Sequence, residues 1–484
     1  MAVLEHLHPT EVFRYFEEIA SIPHGSGNTK AISDYCVAFA KKHGLQYWQD
    51  DTNNVVIVKE PTAGYENCPA IIIQGHLDMV CEKNPDCDLD MEREGLCLKT
   101  DGAFVWAEGT TLGADNGIAV AMALAVLSDR NLPHPRMEAV FTTDEEIGLI
   151  GAAALDTSML QARHMLNLDS EVEGVLTVSC AGGVRANCHV PTEWDTADGV
   201  LCTVEITGLI GGHSGVEIHK GRANGSILMG RLLYGISQEM ALRIVSLHGG
   251  LADNAISSHT VCSFLVPSFE QERVEAVIRS YETVFIEEYK TADPDIHINV
   301  SLQEVCSATA LQLSATARVI SALMLLPNGI QSMSMDIPGL VQTSLNLGIL
   351  RLEGAEAVAS FAVRSSVASE KALLCNKLEC LASLLGGYVT YSGDYPAWEY
   401  RRDSALRELV ADVYKKQCGK TPVVEAIHAG LECGVFAGKL PGLDCVSLGP
   451  DLYEIHTPRE RMSVDSVART WDLLCEVLRR SEEL

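Results

Sequence analysis

Two spacings of apolar residues alternate along the first third of the chain. Residues 9–20 carry Val12, Phe13, Phe16 and Ile19 at helical intervals behind Pro9-Thr10, which predicts a capped amphipathic helix, and a second helical pattern runs from about Asn28 to His43. Short β-branched runs follow, Asn54-Val-Val-Ile-Val-Lys59 and Ala70-Ile-Ile-Ile-Gln74. The second is apolar throughout, as a buried parallel strand is. Met137–Phe141 and His164–Leu168 continue the strand pattern, and a Gly-rich turn leads into an Ala-rich helix at Ile118–Leu127. Alternating helices and strands predict a layered α/β domain.

The texture changes after about residue 186. Leu201–Thr207 and Thr260–Val266 read as strands among amphipathic helices at about 222–240, 270–289 and 312–325, and Val358–Arg364 reads as a further strand. These form a second, inserted domain spanning 187–394. The first domain therefore covers 1–186 and resumes over 395–484 with helices near 403–417 and 464–480.

Composition narrows the class. A chain of 484 residues exceeds one simple core, and 47% apolar residues suit a well-cored globular protein. The longest apolar run, Ile118–Leu127, is far shorter than the roughly 20 residues that span a bilayer. No membrane helix is expected, and the N-terminus lacks the basic-then-apolar pattern of a secretory signal, so a cytoplasmic location is expected. The 16 cysteines are scattered with no C-x-x-C pair and read as reduced thiols packed as small hydrophobes. A formal net charge of −29 argues against nucleic acid as a partner.

The candidate chemistry sits at element ends. Glu145 and Glu146 follow the Met137–Phe141 strand; adjacent carboxylates are stable as a solvated acidic turn, or where a cation separates their roles. Strand Ile71–Ile73 runs into Gly75-His76-Leu77-Asp78, where a carboxylate two residues on can orient the imidazole toward a metal. Asp115 opens the Ala-rich helix, as a cap or as a ligand. The apolar run from His164 ends on Asp169, and His456 follows a Gly-Pro loop. In an open α/β sheet the carboxyl ends of the strands share one edge, so His76, Asp115, Glu146 and Asp169 form one site, with His456 a candidate second imidazole. Such a donor set suits divalent Zn, Mn or Co, and a carboxylate-bridged pair of ions explains the convergence of acids. In the inserted region, His213 lies in a Gly-flanked loop, and Arg364 is either a surface charge or a carboxylate anchor.

Gly75-His-Leu-Asp78, Gly113-Ala-Asp115-Asn-Gly, Asp144-Glu-Glu146, Asn167-Leu-Asp169-Ser, Gly212-His213-Ser and Ile455-His456-Thr-Pro, in this order, resemble the motifs of the M20 family of co-catalytic zinc peptidases. The resemblance implies a three-layer, mixed-sheet α/β catalytic domain with an inserted α+β lid, and two Zn2+ per subunit for which Co2+ or Mn2+ can substitute. It implies that His76 and Asp169 hold one metal, Glu146 and His456 the other, and that Asp115 bridges them across a cis Asp115–Asn116 peptide. Asp78 would orient His76, Glu145 would be the general base, and His213 would stabilise the oxyanion from the lid of a neighbouring subunit in a homodimer. Asn254, Arg364 and Gly430 would meet the C-terminal end of the substrate. Asp at 169 is similar to the aminopeptidase and dipeptidase members, which implies hydrolysis of small dipeptides, including Xaa-His such as β-Ala-His. An aminoacylase or tripeptidase on the same scaffold is the alternative. A non-catalytic metal-binding scaffold would lack a ligand or the base, and this chain has all of them.

Overall fold

The computed structural model describes residues 3–484, which divide into two compact units. The first comprises the chain up to Cys180, Tyr400–Ala426 and Leu431–Leu484; the second comprises Ala181–Glu399 and Ile427–Gly430. The boundary expected near 186 falls inside the strand Gly182–Pro191, whose whole length pairs with Glu356–Ser365 of the second unit, so the crossing precedes it. The return expected at 395 comes at Tyr400, because Tyr388–Tyr395 joins the same sheet. Residues 427–430 also leave the first unit, since Ala181 donates its N–H to the carbonyls of Ile427 and Ala429.

In the first unit eight strands lie in the order Gln46–Gln49, Val55–Lys59, Met137–Thr142, Ile71–His76, His164–Asn167, Asp444–Ser447, Val175–Cys180, Val423–Ile427. The four from Met137–Thr142 to Asp444–Ser447 run parallel, with antiparallel neighbours on both sides. Every residue of Ile71–His76 and Met137–Thr142 is buried, which requires cover on both faces and explains why neither run alternates. The helix Ala114–Ser128 packs on Ile71–His76, and Thr10–Ala20 packs on that helix. Gly75 makes this close approach possible, because a Cβ there would stand 2.3 Å from Asn116 Oδ1 and 2.7 Å from Ala119. Thr10–Ala20 buries Val12, Phe13, Phe16 and Ile19 but begins at Thr10, with Pro9 at the N-cap and no side-chain cap. Thr10 is thus the first helix residue, and the side-chain cap that the pattern suggests is not made.

Register aligns the strand ends. His76 stands opposite Thr142, Gln74 opposite Asn167, and Asn167 opposite Ser447. Because these strands are parallel, the loops after them open on one edge of the sheet.

The second unit is an antiparallel sheet with helices. Its strands lie in the order His297–Leu311, Trp194–Thr207, Thr260–Val266, Arg243–Gly249, Val341–Glu353, Glu356–Ser365, Gly182–Pro191, Tyr388–Tyr395, and Gly329–Met333 pairs with Val341–Glu353. Arg243–Gly249 and Val341–Glu353 join through only His248↔Arg351 and Gly249↔Leu350, so a four-stranded and a five-stranded half meet at a narrow seam. Val200, Cys202, Val204 and Ile206 are buried in alternation, as one covered face requires. Helices Gly225–Glu239, Gln271–Tyr289, Leu313–Leu325 and Ala368–Leu384 pack apolar side chains into the same core as Phe264, Phe285 and Phe361. Among the described residues no helix is long and apolar enough to cross a membrane, and none of the 16 cysteines is in a disulfide.

Candidate functional site

The open edge of the first unit gathers acids around two imidazoles. Asp115 is not the helix cap: Gly113 holds that position with φ +65°, and Asp115 itself has φ −84° and ψ 101°, outside the helical region. Its carboxylate instead divides between two rings, Oδ1 standing 3.2 Å from His76 Nε2 and Oδ2 3.2 Å from His456 Nε2. Asp169 Oδ1 lies 3.4 Å from the first nitrogen, and Glu146 Oε1 lies 3.0 Å from the second. Two carboxylate–imidazole–carboxylate groups therefore share Asp115. The Asp115–Asn116 peptide is cis, the conformation the resemblance implies.

The electrostatics are those of a cation site. Burial alone would lower the His76 pKa, but Asp169, Asp115 and Asp78 hold it well above the ordinary value. Hydrogen bonds to Asp115 and then Glu146 raise His456 to about 10. Burial pushes the Asp169 carboxyl up to about 6 with Asp115 and Glu146 adding to it, whereas the two imidazoles depress Asp115 despite its burial. Donor atoms of His76, Asp115 and Glu146 lie within 4.8 Å of one another, and nitrogen-plus-carboxylate donors fit zinc, manganese or cobalt.

Surrounding groups fix the donors. His76 Nδ1 lies 2.9 Å from the Asp78 main-chain carbonyl, which can only accept, so Nδ1 carries the proton and Nε2 faces the acids. The Asp78 carboxylate, expected to orient this ring, is the more distant partner at 3.5 Å. It accepts instead from Ser26 Oγ at 2.8 Å and from the N–H groups of Glu145 and Glu146 at 3.1 and 3.4 Å, so it shapes the loop bearing both glutamates. Glu145 is half-buried in that loop; burial first, with Asp169, Glu432 and Glu146 adding, raises its carboxyl to about 9.

Sequence reasoning passed over three residues near this edge. Asn116 accepts from the His76 N–H at 3.2 Å and donates to the Leu168 carbonyl at 2.8 Å, tying together the strand ends next to His76 and Asp169. Glu432, fully buried, accepts from Thr142 Oγ1 at 2.7 Å and from Gln74 Nε2, while its Oε1 has no hydrogen-bond partner. Glu460 accepts from the backbone of the Asp115 turn. A glutamate inside the Gly430-Leu-Glu-Cys-Gly motif and another four residues after His456 were the available signals.

Four other expected residues lie together in the second unit. His213 Nδ1 accepts from the N–H groups of Gly215 and Val216, both at 3.2 Å, so the neutral ring carries its proton on Nε2. Asn254 gives its main-chain carbonyl to the Ser214 N–H at 2.8 Å. Arg364 donates to Tyr395 Oη at 2.9 Å and keeps a buried Nε without a hydrogen-bond partner. A Cβ on Gly430 would stand 2.8 Å from the Tyr395 ring, so the backbone packs directly on it. Sequence reasoning missed His428, whose Nε2 is 2.7 Å from Ser344 Oγ and whose buried Nδ1 has no hydrogen-bond partner. Burial, then the Arg364 charge, lowers His213 and brings His428 down to about 3.

An acid-rich centre on the open edge of a mixed sheet, in a chain with an α+β insertion, is the architecture of a metallopeptidase. The chain belongs to peptidase family M20/M25/M40, which it matches over residues 72–480. It is 36% identical over 482 residues, 99% of each chain, to the cytosol non-specific dipeptidase of Escherichia coli strain K12. It is similar to the crystal structure of aminoacylhistidine dipeptidase from Vibrio alginolyticus at a TM-score of 0.93 and 35% identity, covering 99% of this chain and 98% of that one. A tripeptidase from Staphylococcus aureus, covering 99% of this chain and 100% of its own at TM-score 0.55 and 17% identity, shares the fold.

Proposed function

We propose that this peptidase is a cytosolic dipeptidase of broad specificity, taking Xaa-His dipeptides such as β-Ala-His among its substrates and working with two Zn2+ per subunit. The observation that carries the reading is the pair of imidazole–carboxylate groups sharing Asp115. His76 and Asp169 would hold one ion, His456 and Glu146 the other, with Asp115 between them. When bound, the ions lower the pKa of water toward neutrality and polarise the peptide carbonyl. Glu145 takes the proton from the attacking water and delivers it to the leaving amine. Bound cations would bring its carboxyl down from the raised value that burial and the neighbouring acids give it, so that it could accept that proton. His213 donates its Nε2–H to the tetrahedral oxyanion.

Arg364, with Asn254 and the backbone at Gly430, is proposed to receive the substrate carboxylate; the buried Arg364 Nε without a hydrogen-bond partner favours an anion there. A homodimer formed through the second unit is proposed to bring His213 to the neighbouring subunit's site, and a protomer mass by sedimentation velocity would exclude it. Tripeptidase action has less support, since that likeness extends to the fold alone.

The test is a panel of Xaa-His and other dipeptides, N-acyl amino acids and tripeptides, offered to chelated protein and then to protein restored with zinc. Dipeptide cleavage that disappears and returns with metal is expected. Preferential cleavage of tripeptides or acyl amino acids, or dipeptide cleavage indifferent to chelation, would overturn the reading.

A further inference from the structure

We infer that Glu460 is a positioning residue that holds the turn carrying Asp115 and locks it to the loop carrying His456. The inference rests on the proposed metal-holding role of Asp115 and His456 and adds a residue that touches neither ion.

Glu460 is a buried glutamate, 2% exposed, with no basic partner among its hydrogen bonds. Its carboxylate accepts from consecutive backbone N–H groups: Oε2 from Leu112 at 2.7 Å and Gly113 at 3.1 Å, Oε1 from Ala114 at 2.9 Å and Asp115 at 3.4 Å. Successive N–H groups converging on one anion form a nest, and the left-handed Gly113, φ +65°, gives the turn that shape. Helix starts are commonly capped by a side chain from the same turn, but here Gly113 occupies the cap position and has none to offer. The cap comes from 346 residues away in sequence, on the loop four residues past His456.

That origin sets its consequence. Asp115 and His456 approach to 3.2 Å at the site, and Glu460 makes a second link between the same two segments on the backbone side. The glutamate thereby fixes the Asp115 Cα relative to the His456 loop before any ion binds. A bridging carboxylate serves both cations only when its two oxygens are aimed at once, so loosening this turn should weaken both ions together. Nearby residues that orient ligands typically change metal affinity or activity by about 10–100-fold when replaced.

Glu460→Gln is nearly isosteric but turns an N–H donor toward the backbone donors, so at least one of them loses its acceptor. Glu460→Asp keeps the charge on a shorter stem. The test is hydrogen–deuterium exchange at Leu112–Asp115 in metal-free full-length protein, together with zinc affinity by chelator competition and the visible spectrum of the cobalt form. Expected for Glu460→Gln are faster exchange confined to this turn, both ions bound about 10–100-fold more weakly, and partial recovery in Glu460→Asp. Unchanged exchange with two ions bound at wild-type affinity would overturn the inference. So would failure of both variants to fold, which would make Glu460 a general fold residue. Asp115→Asn separates the two readings: if it too retains both ions, the metal assignment is wrong, whereas metal loss there with normal binding in Glu460→Gln removes Glu460 alone.

Discussion

Histidines in the two units are driven in opposite directions. In the first unit His76 and His456 are surrounded by Asp115, Glu146 and Asp169, and both rise, His456 to about 10. In the second unit His213 and His428 lie near Arg364 with no carboxylate in hydrogen-bond contact with either ring, and both fall, His428 to about 3. Carboxylates outweigh burial at His76 and raise the exposed His456, whereas burial leads the fall of His213 and His428 and the Arg364 charge adds to it. The first unit is built to hold positive charge and the second to keep its imidazoles neutral beside a guanidinium, the setting in which an anionic group is welcome. On the proposed function, the first setting would serve the scissile bond and the second the terminal carboxylate.

The largest effect should come from a change that leaves the cation site intact. Glu145→Gln keeps His76, Asp115, Glu146, Asp169 and His456, so metal content should be retained while kcat falls by about 10²–10⁴, the range supplied by a positioned base. Metal analysis and steady-state kinetics on the same sample check this; a variant with ordinary turnover would remove Glu145 from the proton path. A smaller effect of different kind is expected across the comparison. Arg364→Met should leave metal content unchanged and raise KM for dipeptides about 10–100-fold, because a charged hydrogen bond contributes about 1.5–3 kcal/mol. A C-terminally amidated dipeptide should show little difference between wild type and variant. If kcat alone fell, the guanidinium would have another task.

Legibility in the sequence followed how local each cause is. The strand ends were readable because an apolar run followed at once by His76 or Asp169 states both the strand and its terminus. The buried parallel strands were readable because two covered faces leave no alternation. Whether Asp115 caps a helix or faces a metal was not decidable locally, since it depends on His456, 341 residues away, and on the Glu460 carboxylate that takes over the cap. Asp78 was legible in part: the carboxylate lies 3.5 Å from the His76 ring, as the spacing suggests, but the main-chain carbonyl is nearer and the side chain also accepts from Ser26 and the glutamate loop, which no local pattern announces. His428 carried no signal at all. It lies outside the recognised motifs, and its character comes from Ser344 and Arg364, brought to it by an antiparallel sheet whose pairing no short window reveals.

The smallest effect sharpens the contrast most directly, because it reads one histidine of the second unit without substrate or metal. His428 is 6% exposed, and its pKa falls from 6.5 to about 3 on burial beside Arg364. Between those values the unfolded chain binds a proton at this position that the folded chain refuses, so stability rises with pH through the window and is lost as pH falls below 6.5. From pH 7 to 5.5 this one ring should cost about 1 kcal/mol of unfolding free energy. His428→Gln retains a polar partner for Ser344 but does not titrate, so the wild type should lose about that much more than the variant over the same interval, measured by urea unfolding of metal-free protein. Equal losses would mean that His428 accepts its proton in the folded state. The second unit would then tolerate positive charge at that ring, and the opposition between the two histidine environments would fail there.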